Sequence, residues 1–319
     1  MVAAAPTLER IREAQSAIRG AALKTPLVEL NVLDAPAAIY LKLENLQSIG
    51  SFKIRAAAFA MSAIDPTDLA LGVVTASAGN MGQAVAWEAR RRAIPCTVVV
   101  PDSAPQRKIE GMSQLGARII SVPFDEWWTT LGARAYPGIE GLFIHPFDDE
   151  KVMAGDGTIG LEILDEMPDV EVILVPWGGG GLSTGIAAAA KSIKPDCRVF
   201  AVEVDGAAPL AASLEAGAPV VIDYRPSFVD GIGSKTVFPN MLDLARKLLD
   251  GSLVATAGET ARCVEVLMRQ NHVVAEGAGA APVAVALSGR ANADRIACVV
   301  SGGNIDAHKL TAILEGQVP

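Results

Sequence analysis

Four turns of this 319-residue chain present side chains or bare backbone that could do chemistry. The strongest is Val175-Pro176-Trp177-Gly178-Gly179-Gly180-Gly181-Leu182-Ser183-Thr184-Gly185, in which consecutive glycines separate a β-branched run from an alanine-rich stretch. Successive N–H groups there are unobstructed by side chains, and the helix that follows adds the positive end of its dipole, so the turn is a cradle for a phosphate. A glycine run is entropically costly, which argues against a mere connector. The G-x-G-x-x-G spacing of dinucleotide-binding turns is absent. Gly231-Ile232-Gly233-Ser234-Lys235-Thr236 likewise lacks the adjacent Gly-Lys of a nucleotide P-loop.

A competing pattern overlaps the cradle. Gly181-Leu182-Ser183-Thr184-Gly185 matches G-x-S-x-G, the strand-to-helix elbow of α/β-hydrolases, and a serine hydrolase on Ser183 would draw on His272 or His308. The plainer reading of both histidines is a helix-surface or helix-end residue. The second turn, Ser77-Ala78-Gly79-Asn80, joins small residues and an amide at a helix start, a nest suited to a carboxylate or a ring oxygen, or simply a capped helix. In the third, Ser301-Gly302-Gly303-Asn304, a hydroxyl stands at the end of a strand. The fourth, Ser51-Phe52-Lys53-Ile54-Arg55, puts a lysine beside an aromatic ring at the head of an alanine-rich helix. Burial and the helix dipole there disfavour the ammonium form and free the amine for Schiff-base chemistry. A phosphate cradle, a lysine beside an aromatic, an Asn-bearing nest and a strand-end serine are together the parts that hold pyridoxal phosphate.

The elements that must position these turns are short Val/Ile runs alternating with alanine-rich helical stretches. Examples are Val73-Val74-Thr75, Ile119-Ile120-Ser121-Val122 and Val172-Ile173-Leu174-Val175. Continuous apolar strands alternating with helices predict an α/β fold with parallel sheets covered by helices on both faces, and ligands beyond the carboxyl ends of the strands. The pattern is interrupted over residues 127–141 by two tryptophans, Pro137 and several glycines, and a boundary between two lobes is expected close by. A net charge of −9 with pI near 5 provides no field for polyanions, so neither nucleic acid nor a membrane surface is an expected partner. Charge appears by Glu9, before a signal-peptide core could form, and no stretch reaches about 18 uninterrupted apolar residues. Cys96, Cys197, Cys263 and Cys298 are too scattered for a disulfide framework or a zinc site, and are expected to be reduced and buried in a cytoplasmic protein.

In that order, the turns resemble the fold-type II, tryptophan synthase β-like, pyridoxal-phosphate family, in its threonine/serine dehydratase and serine racemase branch. The resemblance rests on Lys42-Leu43-Glu44-Asn45-Leu46-Gln47 with Gly50-Ser51-Phe52-Lys53-Ile54-Arg55, on Ser77-Ala78-Gly79-Asn80, and on the glycine run Gly178, Gly179, Gly180, Gly181 with Leu182. Glu276-Gly277-Ala278-Gly279-Ala280, Ser301-Gly302-Gly303-Asn304, His145-Pro146-Phe147-Asp148 and Asp230-Gly231 complete it. It implies a large cofactor-binding domain of residues 1–41 and 146–319, a small domain of 42–145, and a homodimer. It also implies that Lys53 forms the Schiff base, Phe52 packs on the ring, and Asn80 binds the ring hydroxyl oxygen. Gly178 to Leu182 would hold the phosphate, Ser301 would face the pyridine nitrogen, and Ser77, Ala78, Gly79 and Asn80 would seat the substrate carboxylate.

The implied reaction is α,β-elimination from a β-hydroxy amino acid, with L-threonine or L-serine the first candidates, giving a 2-oxo acid and ammonia. In it the freed Lys53 amine takes the α-proton. Racemisation and 3-hydroxyaspartate dehydration are the alternatives within the family. Ala78 stands where racemases carry a second, opposite-face serine base, which favours elimination, and Met81 replaces the histidine of many threonine dehydratases. Glu203 and Ala207 match positions of a divalent-ion site in racemases, but Pro209 replaces its last acid, so no metal is assigned. The chain ends at Pro319, and the isoleucine-sensing regulatory domain of biosynthetic threonine dehydratases is not expected.

Overall fold

The computed structural model describes residues 4–77, 79–104 and 106–319. Ten strands follow one another along them: β1 (Leu27–Glu29), β2 (Ala38–Lys42), β3 (Val73–Ala76), β4 (Cys96–Pro101), β5 (Arg118–Val122), β6 (Leu142–Phe143), β7 (Val172–Pro176), β8 (Arg198–Val204), β9 (Gly251–Ala255) and β10 (Arg295–Val299). They form a six-stranded sheet ordered β1-β2-β10-β7-β8-β9 and a four-stranded sheet ordered β5-β4-β3-β6. The expected parallel pairing holds except at the edge, where β1 runs antiparallel to β2 with Leu27 opposite Lys42.

Strands buried on both faces send alternate side chains into two different cores. In the large sheet Leu174, Val202 and Cys298 pack with helices Ala257–Asn271 and Gly277–Leu287. Their neighbours Ile173, Val175, Val199, Ala297 and Val299 pack on the other face with helices Glu150–Glu166 and Gly181–Ile193. The small sheet divides in the same way. Val73, Val98 and Val100 meet helices Lys53–Ser62 and Asn80–Arg92, while Val74, Ala76 and Val99 face Leu131 of helix Phe124–Ala133. Each fully buried Val, Ile or Leu in these layers contributes about 1.5–3 kcal/mol.

Residues 127–141, read from sequence as an interruption, begin inside helix Phe124–Ala133. That helix packs on the four-stranded sheet, which then gains β6 as its last strand. The tryptophans that interrupt the apolar periodicity are partly buried side chains of this helix, and residues 134–141 are the loop that leads from it to β6.

Helix Glu150–Glu166 fixes the geometry of the chemistry through glycine contacts, its own Gly155 on one side and Gly185 of helix Gly181–Ile193 on the other. A Cβ at Gly155 would stand 2.5 Å from the Arg55 carbonyl oxygen, and one at Gly185 would stand 2.2 Å from that of Met153. Backbone therefore lies against backbone on both sides, and the lysine helix and the cradle helix are held by one rigid element. Among the described residues no helix is long and apolar enough to cross a membrane. The four cysteines are free and buried, and burial raises each thiol, Cys197 to about 11 and Cys96 and Cys263 to about 12.

Candidate active site

A cavity of about 370 Å³ opens beyond the carboxyl ends of β3, β4, β7 and β10. Phe52, Lys53, Ser77, Gly79, Asn80, Gly178, Gly179, Gly180, Gly181, Leu182 and Ser301, distant in sequence, all line it. Of the residues singled out from sequence, Ala78 lies outside the described residues.

The glycine cradle is a steric necessity at three of its four positions. A Cβ on Gly179 would sit 2.2 Å from the Phe147 ring, one on Gly180 2.4 Å from the Trp177 ring, and one on Gly181 2.9 Å from the Phe147 carbonyl oxygen. Gly180 adds a φ of +97°, a left-handed conformation that glycine adopts without strain. Gly178 has room for a methyl group, its nearest contact being 3.6 Å away. The first N–H groups of helix Gly181–Ile193 have no acceptor within the helix and, with those of the turn, offer a bare anion site. Gly179→Ala is expected to weaken binding of pyridoxal phosphate by at least about tenfold, or about 1.4 kcal/mol, because Phe147 must move. Titration of the cofactor into the purified chain checks this, and an unchanged Kd would show that the ring is free to swing away.

Lys53 is the first residue of its helix, and its Nζ donates to the Pro146 carbonyl oxygen at 2.5 Å and lies 4.9 Å from the centre of the Phe52 ring. Burial lowers the pKa of this amine, and the carboxyl of Asp156 opposes the shift. His145 shapes the loop that presents Pro146. Its Nδ1 accepts from the N–H groups of Phe147 and Asp148, at 3.3 and 2.8 Å, and burial, with Arg134 and Lys53 nearby, pushes its pKa down to about 3. The imidazole is therefore neutral, a structural pin for the loop.

Asn80 sits in a chain of amides: its Nδ2 donates to Glu276 Oε1 at 2.8 Å and its Oδ1 accepts from Asn304 Nδ2 at 2.9 Å. One N–H of the Asn80 amide remains for a ligand in the cavity. Glu276 also lines the cavity. Its burial, reinforced by Asp230 and opposed by Lys108 and the Asn80 bond, pushes its carboxyl up to about 7. Because the folded pKa lies above the ordinary 4.5, the folded chain keeps a proton that the unfolded chain releases between those values. Stability therefore falls as pH rises through that window, by on the order of 3 kcal/mol at its upper end. Glu276→Gln keeps an acceptor for Asn80 and is expected to stabilise the chain by roughly 2–3 kcal/mol at pH 8 and by little at pH 5. Denaturant unfolding at the two pH values checks this, an equal effect at both being the contrary result.

Three features were not identified from sequence. Asp156, on helix Glu150–Glu166, is fully buried, with no hydrogen-bond partner for either carboxylate oxygen among the described residues. Burial raises its pKa, with Lys53 and Arg55 opposing and Glu44 reinforcing the shift. Beneath the lysine, Arg55 joins Glu44 and Glu162, and Lys42 joins Glu162, in a buried ion cluster. The far wall of the cavity is Phe124, Trp127, Leu131 and Phe147. No local spacing marks Asp156, whose only signal is an acid inside an otherwise apolar helical stretch.

One expectation is corrected. Ser183 is fully buried and its hydroxyl donates to the Pro176 carbonyl oxygen at 3.3 Å, while His272 caps the end of helix Ala257–Asn271 and His308 is exposed. The elbow motif marks helix packing here, and the hydrolase reading fails because no histidine reaches Ser183. Glu203, to which no metal was assigned, accepts from the N–H groups of Leu210 and Ala211 and from the Ser252 hydroxyl, so its carboxylate caps helix Pro209–Ala216.

The bare cradle, the half-buried amine and the cavity that both line fit a ring that carries both an aldehyde and a phosphate. A family model for pyridoxal-phosphate dependent enzymes matches residues 18–302. The L-threonine ammonia-lyase of Thermotoga maritima is 40% identical over 313 residues, covering 97% of this chain and 78% of that protein. Among solved structures, maize serine racemase superposes with a TM-score of 0.90 at 31% identity, covering 98% of both chains. The processed form of threonine deaminase isoform 2 from Solanum lycopersicum gives 0.87 at 30% identity, covering 99% of this chain and 91% of that one. With matches of this level running through both sheets and every turn around the cavity, the chain belongs to the family of pyridoxal-phosphate dependent enzymes.

Proposed function

We propose that the chain is an ammonia-lyase that converts β-hydroxy amino acids, threonine and serine among them, to 2-oxo acids and ammonia. The observation that carries this reading is the half-buried amine of Lys53, held by the Pro146 carbonyl in the cavity that the glycine cradle also lines, in a chain 40% identical to a threonine ammonia-lyase. When bound, pyridoxal phosphate supplies the electron-withdrawing system that acidifies the α-C–H of an amino acid. The residues of the chain do the rest. N–H groups from Gly178 to Leu182 would bind the phosphate, Phe52 would pack on the ring, the free N–H of Asn80 would meet the ring hydroxyl oxygen, and Ser301 would face the pyridine nitrogen. The turn of Ser77, Ala78, Gly79 and Asn80 receives the substrate carboxylate.

Lys53 holds the moving proton. Its Nζ, whose proton affinity burial lowers, accepts the α-proton and passes it to the departing β-hydroxyl, which leaves as water. The water lost in that step returns when the released enamine hydrolyses to the 2-oxo acid and ammonia, so the reaction is redox-neutral. Residues 1–41 with 146–319 would form the cofactor lobe and 42–145 the lobe that covers it, a division supported by the two sheets. Four free buried thiols support a cytoplasmic location, and a homodimer is the assembly we propose.

The test is 2-oxo acid release from a panel of β-hydroxy amino acids, together with a near-visible absorbance that borohydride abolishes while marking Lys53. Absence of both overturns the reading. The racemase alternative turns on residue 78, an alanine without a hydroxyl to serve as a second base. Ala78→Ser is accordingly expected to introduce racemisation of serine, followed by chiral chromatography, and none at all would remove this reason for preferring elimination.

A further inference from the structure

A second cavity of about 170 Å³ opens off the main one, the two sharing Trp127, Leu131, Phe147 and Ile232 as walls. Resting on the ammonia-lyase reading and naming its substrate more closely, we propose that this annex receives the side chain of the amino acid. The preferred substrates are then β-hydroxy amino acids whose β-carbon carries a large apolar group, of phenyl size.

Position is the first support. Lys53 Nζ, where the α-carbon must react, is bonded to the Pro146 carbonyl oxygen, and the next residue, Phe147, is one of the walls that the two cavities share. The annex opens beyond Phe147 beside two of the cradle glycines, Gly178 and Gly179, whereas the turn after β3 that would take the carboxylate lines the main cavity and not the annex.

The chemistry of the walls is the second. Trp128 meets Phe238 at 5.3 Å, Phe238 meets Phe147 edge-on at 5.2 Å, and Trp127 meets Trp128 at 6.2 Å, so aromatic rings enclose the space on three sides. No ionisable side chain lines the annex among the described residues, and the Ser234 hydroxyl is already bonded to the Thr236 carbonyl oxygen at 2.7 Å. Lys53, Lys108, Asp230 and Glu276 line the main cavity and not the annex. A second carboxylate, as in 3-hydroxyaspartate, would thus be desolvated without a partner.

Size is the third. An apolar protein cavity of about 150 Å³ is enough to bind benzene. Threonine, with a single methyl group, would leave the annex unfilled.

The experiment compares 2-oxo acid release by the holoenzyme from serine, threonine, 3-hydroxyaspartate and threo-3-phenylserine. It also compares binding of L-phenylalanine and L-alanine, which lack a β-hydroxyl, through the fluorescence of Trp127 and Trp128. Expected are a kcat/KM for phenylserine at least about tenfold above that for threonine, 3-hydroxyaspartate at least about tenfold below threonine, and a Kd for phenylalanine at least about tenfold below that for alanine. Leu131→Trp, which fills the annex, should shift the phenylserine-to-threonine ratio at least about tenfold toward threonine. Threonine turned over as well as phenylserine, with alanine bound as tightly as phenylalanine, would overturn the inference and leave the ammonia-lyase standing. Release of no 2-oxo acid from any of the four would overturn the ammonia-lyase reading instead, and the binding comparison alone would then decide the annex.

Discussion

Lys53→Ala is expected to fold normally and to lose 2-oxo acid release by at least about 10⁴-fold, the scale seen when the single group that moves a proton or forms a covalent bond is removed. Folding should survive because the lysine is a burden on the folded state: burial lowers its pKa, and that shift is the cost of holding the amine away from water. Alanine is at least as good a helix residue, and the loss of the Nζ bond to Pro146 leaves a backbone carbonyl beside an open cavity that water can enter. Asp156 then has no neighbouring ammonium and holds its proton more firmly. The near-visible absorbance should vanish along with the activity, while the unfolding midpoint stays level or rises. A rate unchanged from the parent would sink the mechanism, and a collapse of the fold would show that the lysine supports structure as well.

Arg55→Leu is expected to destabilise the fold by about 3–5 kcal/mol, the cost of stranding buried charges. The guanidinium is 1% exposed. It bonds Glu44 through Nε and Nη2, both at 2.8 Å, and Glu162 through Nη1 and Nη2 at 2.7 and 2.8 Å, with further bonds to Thr158 and the Leu23 carbonyl. Lys42 Nζ, at 2.7 Å from Glu162, leaves the cluster of two cations and two carboxylates balanced. For Glu44, burial alone would raise the pKa, and the charge and hydrogen bonds of Arg55 reverse that shift. With leucine in place, one lysine faces two buried carboxylates, and Glu44 must take up a proton or remain uncompensated. The destabilisation should therefore be larger at pH 8 than at pH 5, because acid neutralises the stranded group. Arg55→Lys should recover only part of the loss, since an ammonium cannot span both carboxylates as the planar fork does. Urea unfolding at the two pH values provides the check, and a loss below about 1 kcal/mol at pH 8 would mean that the cluster is solvated. Because Arg55 lies two residues beyond Lys53 on the same turn of helix, its replacement should also lower kcat.

The layers of the fold were legible where hydrophobic pattern and local turn chemistry agree. The runs at 73–75, 119–122 and 172–175 are strands, and the glycine run at 178–181 stands between β7 and its helix as its spacing requires. The helix at 124–133 was hidden, because its Trp127 and Trp128 obey a tertiary demand, the walls of two cavities, that helical periodicity does not encode. The antiparallel edge strand β1 was equally hidden: three residues carry no pattern, and only its partner β2 defines it. Ser183 shows the opposite failure. A motif was present, but the fold turned its hydroxyl to the Pro176 carbonyl and left no histidine beside it.

By itself, the amino-acid sequence determined the alternation of strand and helix and the turns that must approach a cofactor, because backbone freedom and side-chain type are local properties. The excess of glycine that marks those turns is explained at Gly179 and Gly180 by the rings of Phe147 and Trp177, which no local rule anticipates. Tertiary structure alone decided which acid lies near Lys53, how Arg55 is neutralised, and that an aromatic annex adjoins the reacting centre. Those properties depend on distances between residues far apart in the chain and on the exclusion of water, and both exist only after the two sheets have packed.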